Sequence, residues 1–330
     1  MKNSKMKAMI STGYGGPEIF KLQEVEKPTP KENEVLIKIH AAPVTTAETM
    51  MRTGYPLIGR LFTGISKPKN EIGGVCFAGV IEAVGSGVRK FMVGDEVFGE
   101  SLVKFGTYAE YICLDEEGTI FLKPENVSFE EASVVGDGHV TSFNFLKHVG
   151  GIKAGQKVLI IGASGSLGTS AVQLAKHFGA EVTGVCSAKN AELVRSLGAD
   201  HVIDYKKEDF TKSGKNYDLI YDTIGASSFS KCKNSLTTHG TYMSPVLDFG
   251  LLGRMMFTSM FGKKKAKFSA TGMSPVETIK SFSEEISRLM KENKLKSIIS
   301  KRYTLEDIPN AHQFIDKGRK QGNVVVVHSH

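Results

Sequence analysis

A run of glycine and small residues lies between an apolar stretch and a pattern with helical spacing. The segment 158–161 is Val-Leu-Ile-Ile, and apolar residues recur at helical spacing over 167–178. The pattern predicts a strand, a tight turn and a helix, whose glycines let the backbone approach a pyrophosphate at the helix N-terminus. Ala163-x-Gly165-x-x-Gly168 is a variant of G-x-G-x-x-G with alanine in the first position. A turn that binds no ligand is the alternative. The predicted dinucleotide contacts in this loop are Gly162, Ala163, Ser164, Gly165, Ser166, Leu167 and Gly168.

The end of the next predicted strand indicates which dinucleotide the loop prefers. NAD-binding sites usually carry an Asp or Glu there, but the segment 185–189 is Val-Cys-Ser-Ala-Lys. The hydroxyl of Ser187 and the cation of Lys189 suit the 2′-phosphate of NADPH, because a dianion needs donors and positive charge. Tyr205, at the end of the third predicted strand, adds a phenolic hydroxyl. The alternative is that Ser187 caps the next helix and Lys189 is solvated.

Composition and charge narrow the class of protein. The chain has 330 residues, which is typical of about two domains, and a net charge of +7. That charge favours anionic ligands without requiring nucleic acid. The four cysteines include no C-x-x-C pair, so we expect reduced thiols in a cytoplasmic protein. No apolar signal core follows the basic N-terminal residues. The apolar stretch 251–261 contains Arg254 and is far shorter than the roughly 20 residues of a membrane span, so we expect no membrane partner.

The predicted secondary structure divides the chain into two regions. Residues from about 6 to 125 form short strands and turns, which predicts a barrel-like β domain. Strands then alternate with helical patterns, which predicts a parallel sheet covered on both faces and an α/β fold. An amphipathic helix over 276–293 precedes a tail that we expect to return to the first domain. The strands predicted in the alternating region are 157–162, 181–187, 201–205, 217–225 and 240–246.

Several segments together resemble the zinc-free, zeta-crystallin-like quinone oxidoreductase branch of the medium-chain dehydrogenase/reductase superfamily. The resemblance implies a GroES-like β-barrel domain and a Rossmann domain with a doubly wound parallel sheet. We expect the first domain over 1–125, the NADPH-binding domain over 126–268, and a return segment over 269–330 that completes the first. The segments that carry the resemblance are 79–85, 93–97, 106–111, 162–176, 198–205, 222–225 and 322–325.

The resemblance also implies an activity and a set of contacts. It implies hydride transfer from NADPH to an activated acceptor, with the nicotinamide in the cleft between the domains, and usually a homodimer. By position, Ser187, Lys189 and Tyr205 match the family's 2′-phosphate contacts. Thr141 matches a threonine near the nicotinamide, and Asn323 matches a tail position that closes over the cofactor.

The chain departs from these relatives near the expected substrate site. Members of the family often have Val-Asn-Pro-x-Asp where segment 44–48 of this chain is Val-Thr-Thr-Ala-Glu. Thr45 therefore stands where the family often has an asparagine of the cleft, and Met50 stands where it often has a tyrosine. A zinc dehydrogenase needs about three protein ligands, typically Cys and His. The expected early Cys is missing, and the expected Gly-His-Glu is Gly-Val-Cys at 74–76. We therefore predict no metal site, with Cys76 a buried apolar thiol.

Without a metal to polarise an alcohol, reduction is the easier direction. Hydride addition to a quinone or an α,β-unsaturated carbonyl places negative charge on an oxygen, which needs a donor. The candidate donors are Thr45, Tyr55 and His139, of which His139 is more simply a packed residue. An NADPH-dependent aldehyde or alcohol oxidoreductase, and a non-catalytic NADPH- or RNA-binding protein, are the alternatives. We interpret the basic run Lys263–Lys267 as a solvated loop and expect no nucleic-acid partner, because no interleaved aromatics accompany it.

Overall fold

The chain forms two compact units in a computed structural model that describes residues 5–55, 57, 60, 64–318 and 320–328. Unit 1 contains the described residues up to Asp137, then Ser283–Lys291, and those from Ser297 onward; unit 2 contains Gly138–Phe282 and Glu292–Lys296. Within the described residues, no helix is both long and apolar enough to cross a membrane.

Fifteen strands and nine α-helices are assigned among the described residues. The strands are β1 (Lys5–Ser11), β2 (Phe20–Glu26), β3 (Glu34–Val44), β4 (Cys76–Val84), β5 (Glu96–Glu100), β6 (Tyr111–Asp115), β7 (Thr119–Leu122), β8 (Lys157–Ile161), β9 (Glu181–Cys186), β10 (His201–Asp204), β11 (Tyr217–Asp222), β12 (Leu236–Ser244), β13 (Lys265–Phe268), β14 (Ile299–Tyr303) and β15 (Asn323–Val327). The helices are α1 (Thr46–Thr53), α2 (Phe129–Ser133), α3 (Thr141–Phe143), α4 (Ser166–His177), α5 (Ala191–Ser196), α6 (Phe229–Cys232), α7 (Phe249–Phe261), α8 (Val276–Lys291) and α9 (Ile308–Asp316). π-Helical turns over Val135–Val140 and Asn144–Val149 flank α3.

Unit 1 is built on a mostly antiparallel sheet in the order β14-β15-β3-β4-β5-β7, with β6 also paired to β3. Strand β3 is central, and Val35, Ile37 and Ile39 on it are fully buried because alternate side chains point to one face. The tail strand β15 pairs antiparallel with β3 and so belongs to this sheet.

Unit 2 is a six-stranded sheet in the order β10-β9-β8-β11-β12-β13, in which every neighbouring pair is parallel. Counted within the unit, this is the order 3-2-1-4-5-6 of a doubly wound dinucleotide-binding sheet. The predicted α/β fold with a parallel sheet is therefore confirmed. In such sheets ligands bind at the carboxyl ends of the strands, where the order reverses beside β8.

The units divide the chain at different residues from the predicted domains. Residues 126–137 lie in unit 1 rather than with the parallel sheet, because helix α2 packs against β3 and β4. Residues 269–282 lie in unit 2 rather than in the return segment. The basic run is also not a simple solvated loop. Lys265 and Lys267 belong to β13, and their ammonium groups donate to the carbonyl oxygens of Thr258 and Val149, each at 2.6 Å.

Candidate active site

The glycine loop joins β8 to α4 in the predicted strand–turn–helix arrangement. Gly162 has a φ of +78°, in the left-handed region that favours glycine. A Cβ on Gly168 would lie 2.1 Å from the Gly162 carbonyl oxygen and 2.7 Å from the Cα of Ala163, so the turn requires glycine there. The helix N-cap is Gly165, which has no side chain to satisfy the amide groups of the first turn. Such amide groups and the helix dipole bind phosphate, so the loop fits a dinucleotide pyrophosphate.

The proposed 2′-phosphate residues lie together at the carboxyl edge of the parallel sheet. Cys186 of β9 and Asp204 of β10 are paired, and the Tyr205 amide donates to the Cys186 carbonyl at 3.2 Å. Ser187 and Tyr205, which directly follow that pair, are therefore neighbours. Ser187 makes no capping hydrogen bond with its side chain, which argues against the interpretation that it serves only as a cap. Lys189 and Tyr205 are exposed, so both can reach an anion at this edge.

A buried hydrogen bond connects this edge to the glycine loop. The amide Nδ2 of Asn190 donates to the Ser164 hydroxyl oxygen at 2.8 Å, and both residues are buried. The bond holds the turn Ala188–Asn190 against the loop and so fixes Lys189 relative to the glycine loop. Sequence reasoning missed Asn190, because nothing in its local pattern indicates a contact with residue 164.

Helix α3 is tethered to the same loop. The Ser142 hydroxyl donates to the Leu167 carbonyl oxygen at 2.9 Å, which holds the half-buried Thr141 beside the start of α4. His139 is only 1% exposed, and burial lowers the pKa of its imidazole to about 4. Its ring is therefore neutral at pH 7, as expected for a packed residue rather than a proton donor.

A buried carboxylate shapes the loop after β11. Asp222 is fully buried and accepts hydrogen bonds from the amides of Ala226 and Ser227 at 3.1 and 2.7 Å, and from the Tyr242 hydroxyl at 3.0 Å. Burial raises the pKa of Tyr242 well above its usual range, so its hydroxyl stays protonated and donates. Below this loop lies a cavity lined by residues that include Ser227, Tyr242 and Arg254, at the carboxyl ends of β11 and β12.

In unit 1, Thr45 begins helix α1 through a reciprocal pair of bonds. Its hydroxyl oxygen accepts the Glu48 amide at 3.1 Å, and the Glu48 carboxylate accepts the Thr45 amide at 2.8 Å. This is a capping box. The Thr45 side chain is only 5% exposed, and its O–H proton is not used by the cap. The threonine that stands where the family often has asparagine thus caps a helix and keeps an O–H proton that the cap does not use.

Glu48 lies at the centre of a buried network. It also accepts the Val75 amide at 3.1 Å and the Tyr108 hydroxyl at 2.8 Å, and that hydroxyl lies 3.3 Å from Nε2 of His312. Burial raises the pKa of Glu48 to about 7, although the bonds from Tyr108 and Thr45 act in the opposite direction. Burial lowers the pKa of His312 to about 3, so its ring is neutral. Sequence reasoning did not identify this network.

The remaining predicted residues differ in exposure. Tyr55 is 69% exposed and follows α1. Asn323 is buried at the start of β15, where its backbone amide and side-chain amide donate to the Ile298 carbonyl oxygen at 2.7 and 3.1 Å. Its side chain thus holds the tail strand, and a contact with the cofactor stays a prediction.

Cys76 is a buried thiol whose pKa is raised well above its usual value, first by burial and then by the nearby Glu100 and Asp137. In the part of the chain that the structure describes, no three or more His, Cys, Asp or Glu side chains are grouped so that they could hold a metal ion.

Comparison with known proteins places the chain among dehydrogenases and reductases. A family model described as an alcohol dehydrogenase GroES-like domain matches residues 31–125, and one described as a zinc-binding dehydrogenase matches 197–326. The chain is 31% identical to a 2-methylene-furan-3-one reductase of Solanum lycopersicum, over 98% of this chain and 79% of the relative. It is 31% identical to a quinone oxidoreductase of Homo sapiens, over 95% and 94%. The solved structure of a quinone oxidoreductase from Coxiella burnetii is 27% identical with a TM-score of 0.85, over 98% and 99%.

Proposed function

The chain belongs to the medium-chain dehydrogenase/reductase superfamily, in its quinone oxidoreductase branch, and we propose that this oxidoreductase uses NADPH to reduce quinones or α,β-unsaturated carbonyl compounds. The GroES-like domain and the Rossmann sheet expected from the resemblance are both present.

The arrangement at the ends of β9 and β10 carries the proposal for NADPH. Ser187, Lys189 and Tyr205 offer two hydroxyls and a cation at one edge, and the residue after β9 is not an acid. A carboxylate there would bind the ribose hydroxyls of NADH and repel the 2′-phosphate. The hydroxyls and the cation instead favour a phosphate.

The names of the relatives support the class of acceptor. One is a quinone oxidoreductase, and the other is a reductase of a 2-methylene-furan-3-one, whose name describes a carbon–carbon double bond next to a carbonyl. Both compounds accept hydride at an electron-poor carbon and collect negative charge on oxygen. We propose a small-molecule acceptor of the same kind, in a cytoplasmic homodimer.

The residues of this chain would divide the work as follows. The loop from Gly162 to Gly168 binds the pyrophosphate through backbone amides, and Lys189 and its neighbours bind the 2′-phosphate. NADPH, when bound, supplies the hydride. Thr141 is proposed to contact the nicotinamide, and the Thr45 hydroxyl to donate to the oxygen that gains charge. His139 cannot serve as a general acid at pH 7, because burial keeps its imidazole in the neutral form.

Steady-state oxidation of NADPH and NADH with a panel of acceptors tests the proposal. We expect turnover with a quinone and with an enone, little with simple saturated aldehydes, and a higher kcat/KM with NADPH than with NADH. Reduction of saturated aldehydes alone would support an alcohol dehydrogenase instead. If the protein binds NADPH but reduces none of the acceptors in the panel, an enzymatic role would be contradicted.

A further inference from the structure

Helix α7 presents a continuous apolar face to solvent. Its exposed apolar side chains are each between 43% and 75% exposed. They form two adjacent rows at four-residue spacing, the neighbourhood expected on one side of a helix. The phenyl rings of the second row lie 6.0 Å apart. The residues of this apolar face are Leu252, Met256 and Met260 in the first row, and Phe257 and Phe261 in the second.

The opposite side of α7 is already packed. Leu251 and Thr258 are buried, and Met255 packs against the core of the parallel sheet. The Thr258 hydroxyl accepts the Ala266 amide of β13 at 3.1 Å, and Asp248 caps the helix by accepting the Leu251 amide at 2.6 Å. The helix is therefore fixed on its sheet, and the apolar face is held outward instead of packing into the core.

The charge around the apolar face is mostly positive, although exposed Asp248 caps the N-terminus of the helix and exposed Glu277 follows β13. The segment 249–276 contains no Asp or Glu and five Lys or Arg residues. Exposed Arg254 lies within the helix, and exposed Lys263 follows its C-terminus. Lys264 donates to the Lys233 carbonyl oxygen at 2.6 Å, which brings the exposed Lys233 to the same end. An apolar face bordered mainly by cations is typical of helices that lie on anionic membranes.

We propose that the apolar face of α7 docks on the surface of an anionic lipid bilayer. Its Phe, Met and Leu side chains enter the boundary between headgroups and acyl chains, and Arg254, Lys233 and Lys263 bind lipid phosphates. A second copy of this chain is a poorer partner. In a two-fold contact the same patch faces itself, so the cations around it would be brought close to the cations of the other copy. The inference revises the expectation of no membrane partner, since it concerns the bilayer surface and not a span.

Co-sedimentation of the full chain with lipid vesicles tests this proposal independently of catalysis. We expect binding to vesicles that contain phosphatidylglycerol, much weaker binding to pure phosphatidylcholine, and weakening as salt is raised. The triple variant Met256→Ser/Phe257→Ser/Met260→Ser should lose binding by at least about tenfold. In Lys233→Gln/Lys263→Gln, the affinity for the anionic vesicles should fall by about fivefold for each lysine removed.

The matched controls change exposed residues elsewhere. Met92→Ser/Val93→Ser alters an exposed apolar pair of unit 1, and Lys212→Gln/Lys215→Gln alters exposed lysines before β11. Both should bind as wild type does, and circular dichroism should show every variant folded. Failure of wild type to bind anionic vesicles, or equal losses in the controls, would overturn the proposal. It would also be overturned if the triple variant kept vesicle binding but changed the oligomeric state, because the face would then join two copies.

Discussion

The side chains at the carboxyl edge of the parallel sheet differ in what they already contact. Asn190 donates a hydrogen bond to Ser164 at 2.8 Å, so these two residues hold the glycine loop and the turn after β9 together. Ser187 makes no capping bond, and Lys189 and Tyr205 are exposed. A phosphate that binds at this edge can therefore accept hydrogen bonds from these side chains without first breaking a capping bond. We therefore propose that Asn190 positions this edge and that Lys189 recognises the 2′-phosphate of NADPH.

Thr45 offers a prediction at the same scale. Thr45→Ala should lower kcat by about 10²-fold, because a donor to a developing negative charge is lost. It should also lower thermal stability slightly, since a helix cap is worth about 1 kcal/mol. Thr45→Ser keeps the hydroxyl and should restore most of kcat together with the cap. Steady-state kinetics and thermal denaturation measure the two effects separately. A matched control is Thr46→Ala, at the exposed first position of α1. Unchanged kcat in Thr45→Ala would remove the proposed role.

Predictions for single residues were possible only where chemistry and position agree locally. Ser187 and Lys189 were proposed because they lie just after a strand and no acid accompanies them, and their contact with a phosphate stays a prediction. The network of Glu48, Tyr108 and His312 was not predicted, because its bonds join residues 60 and 204 positions apart. No local spacing indicates such contacts, which exist only once α1, α9 and the segment before β6 have packed.

At the scale of elements, the turn between β8 and α4 combines conformational and steric requirements. Gly162 needs its positive φ, and Gly168 needs the absence of a side chain. Those requirements are visible in the sequence as glycine spacing, so strand, turn and helix were all predicted correctly. Helix α7 was not predicted as a helix, because its 13 residues are apolar on both sides and carry no amphipathic period.

Gly168→Ala tests whether the turn between β8 and α4 requires glycine at this position. The new methyl group would lie 2.1 Å from the Gly162 carbonyl oxygen, so we expect a loss of about 1–3 kcal/mol in the stability of unit 2. NADPH should no longer raise its thermal midpoint, because the loop has to shift. Gly165→Ala is the matched control, since its nearest atom is that same oxygen at 3.4 Å, an ordinary contact. Differential scanning calorimetry with and without NADPH measures both effects. Equal stability of the two variants would contradict the packing described here.

At the scale of the whole molecule, two buried carboxyl groups of unit 1 couple stability to pH. Burial raises the pKa of Glu48 and of Glu100 from 4.5 to about 7. The folded protein therefore binds these protons more tightly than the unfolded chain does. The stability they contribute is complete below pH 4.5 and is lost as the pH rises through about 7. Each group can account for up to about 3 kcal/mol.

Glu100→Gln tests this coupling. One Glu100 carboxylate oxygen, Oε1, is buried and accepts no hydrogen bond from the described residues, so replacing the acid by an amide breaks no bond to that oxygen. We expect the fall in the free energy of unfolding between pH 5 and pH 8 to shrink by about 2 kcal/mol. Chemical denaturation followed by circular dichroism measures it, with Glu26→Gln, on the exposed part of β2, as the control. The same pH dependence in Glu100→Gln and wild type would be inconsistent with a raised pKa.

The most direct test of the account is isothermal titration calorimetry with NADPH and NADH. The arrangement of Ser187, Lys189 and Tyr205 predicts that NADPH binds at least about tenfold more tightly, a difference of about 1.4 kcal/mol. In Lys189→Ala the affinity for NADPH should fall towards that for NADH, while the affinity for NADH changes little. Equal affinities in wild type, or an equal loss for both dinucleotides in the variant, would contradict the assignment of this edge to the 2′-phosphate.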